Sequence, residues 1–129
     1  MSVKWIKRAI IESPYHIGLC QKKEDFYKEL KRLKIPKKQW PRWLKNGYSA
    51  RVHTLTNNDT NDGCCIVCIG KRKGKSLVVA YGLLIHEAVH IWQHICNDLN
   101  EKVPSPEFEA YSIQMISQCL IAAYKKHKK

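Results

Sequence analysis

Hydrophobic positions follow two different spacings along this chain, and each change of spacing marks an element. Val3, Ile6, Ala9 and Ile10 recur at helix-like intervals before Pro14, so residues 3 to 12 read first as a short helix and second as a strand. From Lys23 to Ile35 the apolar residues Phe26, Leu30 and Leu33 fall at i, i+4, i+7, with Asp25 near the start and Pro36 ending the run, which predicts a helix. Trp40, Trp43 and Leu44 add one or two more helical turns, and Gly47 stands where a left-handed closing residue would sit. From Tyr48 the period becomes two, as Ala50, Val52 and Thr54 alternate with Arg51, His53 and Leu55. A dense turn cluster at Asn57 to Gly63 and the β-branched, thiol-rich run Cys64 to Ile69 complete a predicted β-hairpin. After a second turn at Gly70 to Lys75, Ser76 can cap a long helix from about Leu77 to Leu99. Pro106 suits a first helical position, and Glu107 to Lys125 read as a last helix with Met115, Ile116, Cys119, Leu120 and Ala123 as its buried face.

This order of elements is an α+β pattern, and 129 residues are enough for one core but not for a second domain. The expected organisation is a single domain over 1–129, with a helical N-terminal part at 1–47 and the hairpin and long helices at 48–125. A hydrophobic fraction of 44% with 26% charged residues is ordinary for a soluble globular protein. The basic N-terminus lacks a secretory apolar core, and His, Glu or Lys interrupts every other apolar stretch before membrane-spanning length. A cytoplasmic location is therefore expected, in which the six cysteines are free thiols. Lys and Arg number 23 against 11 Asp and Glu, a formal charge of +12. That charge either keeps the protein soluble or serves an acidic partner or nucleic acid.

The segment that carries chemistry is His86-Glu87-Ala88-Val89-His90, inside the long predicted helix. Residues four apart share a helix face, so the two imidazoles can point at one ion. Glu87 is one residue on, about 100° around the axis, which puts its carboxylate beside the ion, where it can take a proton from a water the ion activates. The bland alternative is a hydrogen-bonded histidine pair. The flanks Tyr81-Gly82-Leu83-Leu84-Ile85 and Ile91-Trp92 predict a largely buried helix, on which two histidines and a glutamate need a reason to be present.

Leu83 to Gln93 resembles the active-site helix of the zincin metallopeptidases, and Pro106-Glu107-Phe108-Glu109-Ala110-Tyr111 is similar to the E-x-x-A segment of the gluzincin branch. The resemblance covers roughly residues 48 to 125 and extends to small metallopeptidases encoded by bacteriophages. It implies a minimal zincin-like domain and zinc-dependent hydrolysis of a peptide or protein amide bond. On this resemblance His86 and His90 are zinc ligands, Glu87 the general base and Glu107 the third ligand, with Glu109 the alternative ligand. Acidic residues in a first helical turn are also stabilised by the helix dipole without any metal. The chain departs from the pattern at Tyr111, where related proteins often carry an Asp that orients a ligand. Gln93 and Cys96 also stand where the metzincin branch has Gly and His.

Tyr111 and His53, together with Tyr48 and Tyr81, are candidate donors to a developing oxyanion. His94 lies about 12 Å along the helix from His86 and is expected to be structural or on the surface. Cys65-Ile66-Val67-Cys68 has structural-zinc spacing but lies in a strand-like run with no second pair, which favours buried thiols. Trp40 and Trp43 in a basic segment could stack on bases, although Trp at this spacing more often packs in a core. Two functional readings follow: a zinc peptidase, with the hairpin's edge strand offering backbone groups to substrate, or a catalytically silent zincin scaffold whose basic surface binds nucleic acid or a host protein.

Overall fold

The fold is that of a computed structural model, which describes residues 3–6, 15–44, 49–56, 60, 63–70 and 76–127. Its elements are β1 (Lys4–Ile6), β2 (Tyr15–Cys20), α1 (Lys23–Arg32), a single 3-10 turn (Lys37–Gln39), β3 (Ala50–Thr56), β4 (Gly63–Ile69), α2 (Leu77–Asp98) and α3 (Pro106–His127). The class is α+β, a four-stranded mixed sheet in the order β1-β2-β4-β3 with helices on both faces.

The sheet explains why Cys64 to Ile69 is apolar at every position. β4 lies between β2 on one side and β3 on the other, and every residue from Cys64 to Ile69 is buried. Cys65, Val67 and Ile69 face Leu84, Ala88, Ile91 and Leu120 of α2 and α3. Cys64, Ile66 and Cys68 face Phe26 and Leu30 of α1. A strand covered on both faces loses the polar half of its alternation. The expected hairpin is present, with β3 and β4 antiparallel and Val52 opposite Val67.

β2 runs parallel to β4, with Ile17 opposite Cys65, and β1 pairs antiparallel with β2, with Trp5 opposite Gly18. The helix first read over residues 3 to 12 is therefore corrected at Lys4–Ile6, which is strand, while residues 7 to 14 lie outside the described residues. Period two wins here because Val3 and Trp5 pack toward the α1 side and Ile6 toward α2 and α3. Gly18 is required at this crossing: a Cβ there would stand 2.8 Å from Val3 Cγ1 and 2.9 Å from Trp5 Cε3.

The second correction falls at Trp40 to Leu44. These residues follow the 3-10 turn without forming a helix, and Trp40 is extended at φ −67°, ψ 124°. Pro41 supplies the reason, since proline pushes the preceding residue out of the helical region. Gly47 lies outside the described residues.

α2 begins where the sequence places it, with Ser76 Oγ accepting the Val78 N–H at 3.1 Å. It stops at Asn100, whose φ of 57° is left-handed, while the Glu101 N–H bonds the Cys96 carbonyl at 2.8 Å. The Tyr15 hydroxyl donates to Asp98, which ties β2 to the end of α2. On α3 the buried face is Ser112, Ile116, Leu120, Ala123 and Tyr124; Met115 is exposed and Cys119 only half-buried. All six cysteines are free. Among the described residues, no helix is long and apolar enough to cross a membrane.

Candidate metal centre

α2 packs against β3, one of the two edge strands of the described sheet, through a face that includes Ala80, Leu84, Ala88 and Ile91. His86 and His90 lie to one side of that buried stripe and are exposed, whereas Glu87 falls between the stripe and the histidines. One helical turn brings the two imidazoles together. Their Nε2 atoms are 3.2 Å apart and their ring planes meet at 77°.

His90 is oriented from behind, because its Nδ1 lies 3.0 Å from Oε1 of Gln93, one turn further along α2. The amide oxygen only accepts, so Nδ1 carries the proton in this contact and Nε2 keeps its lone pair on the side facing His86. His86 Nε2 donates to that lone pair in the metal-free pair. An ion set between the rings would replace this proton and meet two imidazole nitrogens.

Glu87 is 5% exposed, and its carboxylate accepts the backbone N–H of Val52 on β3. Burial pushes its carboxyl above the ordinary value, opposed by His86, His90, the Val52 N–H and Arg51. A carboxylate anchored to the edge strand and adjacent to two histidines has the setting of a base whose proton affinity is tuned upward.

The acidic residues of α3 are placed differently. Glu107 is exposed in the first turn and shares its side with Ala110, Tyr111 and Gln114, all exposed. Glu109 is half-buried and turned toward α2, where its Oε2 accepts the Trp92 indole N–H at 2.9 Å. Among the described residues, no three His, Cys, Asp or Glu side chains are gathered as a metal-holding group. The fold brings the His86 and His90 imidazoles together with Glu87 beside them on the same helix, its carboxylate turned to Val52, and does not bring Glu107 or Glu109 to them. Zinc takes nitrogen and oxygen donors four at a time, so the donor set fits two of its protein ligands, with the third to come from elsewhere.

The remaining candidates separate cleanly. His53 is a correction: its ring is buried on the opposite face of β3, against Phe26, and its Nε2 lies 3.1 Å from the Trp43 carbonyl. Burial holds its imidazole below the ordinary value. Tyr111 is 65% exposed on the solvent side of α3. Tyr81 packs edge-on against Tyr124, and Tyr48 lies outside the described residues. His94 is exposed, as expected. Cys65 and Cys68 point to opposite faces of the sheet and cannot share an ion, and burial raises both thiols. Gln93 is the partner that sequence reasoning missed; its spacing of three from His90 was the available signal. Comparison with known protein families, with characterised proteins and with solved structures finds no match to this chain.

Proposed function

We propose that this chain is a cytoplasmic zinc-dependent peptidase, with His86 and His90 as metal ligands and Glu87 as general base. One observation carries the reading: two imidazole nitrogens 3.2 Å apart on a helix whose intervening carboxylate is buried against the edge strand. A histidine pair that served only the core would not leave both rings exposed, and a surface pair would not bury the glutamate between them.

Zinc held there would supply an activated water with a pKa of about 7 and would polarise the scissile carbonyl. With the ion held there, Glu87 would stand beside it as the group to accept a proton from that water and pass it to the leaving amine. β3 lies at the sheet edge beside α2, where its outward backbone groups other than the Val52 N–H, which Glu87 holds, can pair with an extended peptide. The third ligand comes from the start of α3. The E-x-x-A resemblance marks Glu107, with Glu109 the alternative; to reach the imidazoles Glu107 must turn in from solvent and Glu109 must leave the Trp92 N–H, which stands about 160° around α2 from His90.

The test is zinc stoichiometry by elemental analysis after zinc-replete expression, followed by affinity in single variants. One zinc per chain is expected, lost in His86→Ala and His90→Ala, kept in Glu87→Gln without hydrolysis, and weakened in whichever of Glu107→Ala and Glu109→Ala removes the third ligand. A wild-type protein free of metal sinks the reading and leaves the silent scaffold.

A further inference from the structure

We propose that the groove between α1 and the Trp40–Leu44 segment binds single-stranded nucleic acid, with phosphates on Lys23 and Arg42 and a base against its aromatic rings. The groove encloses about 450 Å³. It lies on the side of the sheet away from α2, so it is independent of the histidine pair. The half-buried rings of Tyr27, Trp40 and Trp43 line it together with Lys23 and Arg42, which are exposed.

These rings are already fixed in place. The Tyr27 and Trp40 rings stack with centroids 5.4 Å apart and 23° between planes. Trp40 Nε1 donates to the Ile35 carbonyl at 2.8 Å, while the Tyr27 hydroxyl donates to the Pro41 carbonyl at 3.1 Å and accepts the Trp43 N–H at 3.0 Å. Rings held this way lose little entropy when a flat partner is added, and bases stack on such rings whatever their sequence.

Charge selects the partner. Residues 22 to 44 carry nine Lys or Arg and three Asp or Glu, a surplus of six. One of the three acids, Glu29, is buried and bonded to Arg32 and to the Trp5 indole, so it cancels Arg32 and leaves the surplus to the exposed lysines and Arg42. An acidic protein partner would need an apolar centre to its interface. Among the described residues, every large apolar side chain with substantial exposure lies at or beyond Leu77, so this face offers only the aromatic groove among lysines. That combination of a basic track and a stacking platform suits a single strand.

The experiment is fluorescence anisotropy of a labelled dT15 single strand, titrated with the full chain from 50 to 200 mM salt. Wild type is expected to bind with a steep salt dependence. Lys23→Ala with Arg42→Ala should weaken binding about tenfold and flatten the salt slope by about 1.4, two single-strand phosphates at about 0.7 each. Lys125→Ala with Lys126→Ala, exposed at the far end of α3, removes the same charge and should leave affinity within about twofold of wild type. Unchanged affinity in the groove double variant overturns the proposal, as does an equal loss in the α3 control. Equal binding of a matched duplex overturns the single-strand assignment, and equal binding of polyglutamate assigns the groove to an acidic chain instead.

Discussion

Replacing Gln93 by leucine isolates the orientation of His90 from everything else in the site. Gln93 is exposed on α2 and its side chain meets His90 through one contact of 3.0 Å, so leucine removes an acceptor without opening a cavity. Stability should stay within about 0.5 kcal/mol of wild type, the usual range for a surface position. Zinc affinity should not. Without the amide oxygen the Nδ1 proton loses its partner, and the ring is free to turn or to place its proton on Nε2, where the ion must bind. A neutral hydrogen bond contributes about 0.5–1.5 kcal/mol, and loss of a group that orients a ligand costs about 10- to 100-fold in affinity, or about 1.4–2.8 kcal/mol. Competition with a chelator of known affinity at fixed pH reads that change directly. Nitrogen chemical shifts of the metal-free protein read the cause, since His90 should shift from the Nδ1–H tautomer toward a mixture. Wild-type zinc affinity in Gln93→Leu would refute the orienting role while leaving the ligand assignment intact.

Glu87→Gln should raise the stability of the metal-free protein at pH 7. Burial holds the folded-state carboxyl above its unfolded value, so between the two values the folded chain binds more protons and stability falls as pH rises. The variant lacks that loss, and its advantage in chemical denaturation should shrink toward zero near pH 4, about the unperturbed glutamate value; a variant less stable than wild type at pH 7 would contradict the burial argument. Gly18→Ala should destabilise by about 1–3 kcal/mol, because the added methyl collides with Val3 and Trp5 across the β1–β2 pair. A denaturation midpoint equal to wild type would mean that β1 shifts aside freely.

The fold was legible where a period, a cap or a turn cluster marks an element and obscure where none does. α1, α2, α3 and the β3–β4 hairpin announce themselves by period, by the Ser76 cap and by turn residues. β2 does not. Tyr15 to Cys20 places Leu19 and Cys20 in two different cores and puts Gly18 where a side chain would normally mark the face, so its alternation is erased. Its parallel pairing with β4 is also a long-range property, built only after α1 and β3 have intervened. The false helix at Trp40 to Leu44 had a local cure, since the Trp40-Pro41 step alone argues against helical geometry.

The site divides along the same line. The convergence of His86 and His90 and the sideways position of Glu87 are consequences of helix geometry, which spacing specifies completely. The third ligand depends on how α3 is rotated against α2, which spacing does not specify. In this fold Glu109 lies on the side of Ile116 and Leu120, and Glu107 with Tyr111 and Gln114 faces solvent, while Met115 of the expected stripe is exposed. A carboxylate on the packed side is costly unless something meets it. In this fold the Trp92 indole N–H meets it, a partner supplied by the helix that carries the histidines. A single indole donor satisfies only part of a carboxylate's accepting capacity. Trp92 stands two residues from His90, about 160° around the α2 axis, so this contact holds Glu109 on the flank away from the imidazoles, and the zinc affinities of Glu107→Ala and Glu109→Ala decide which acid moves to the ion.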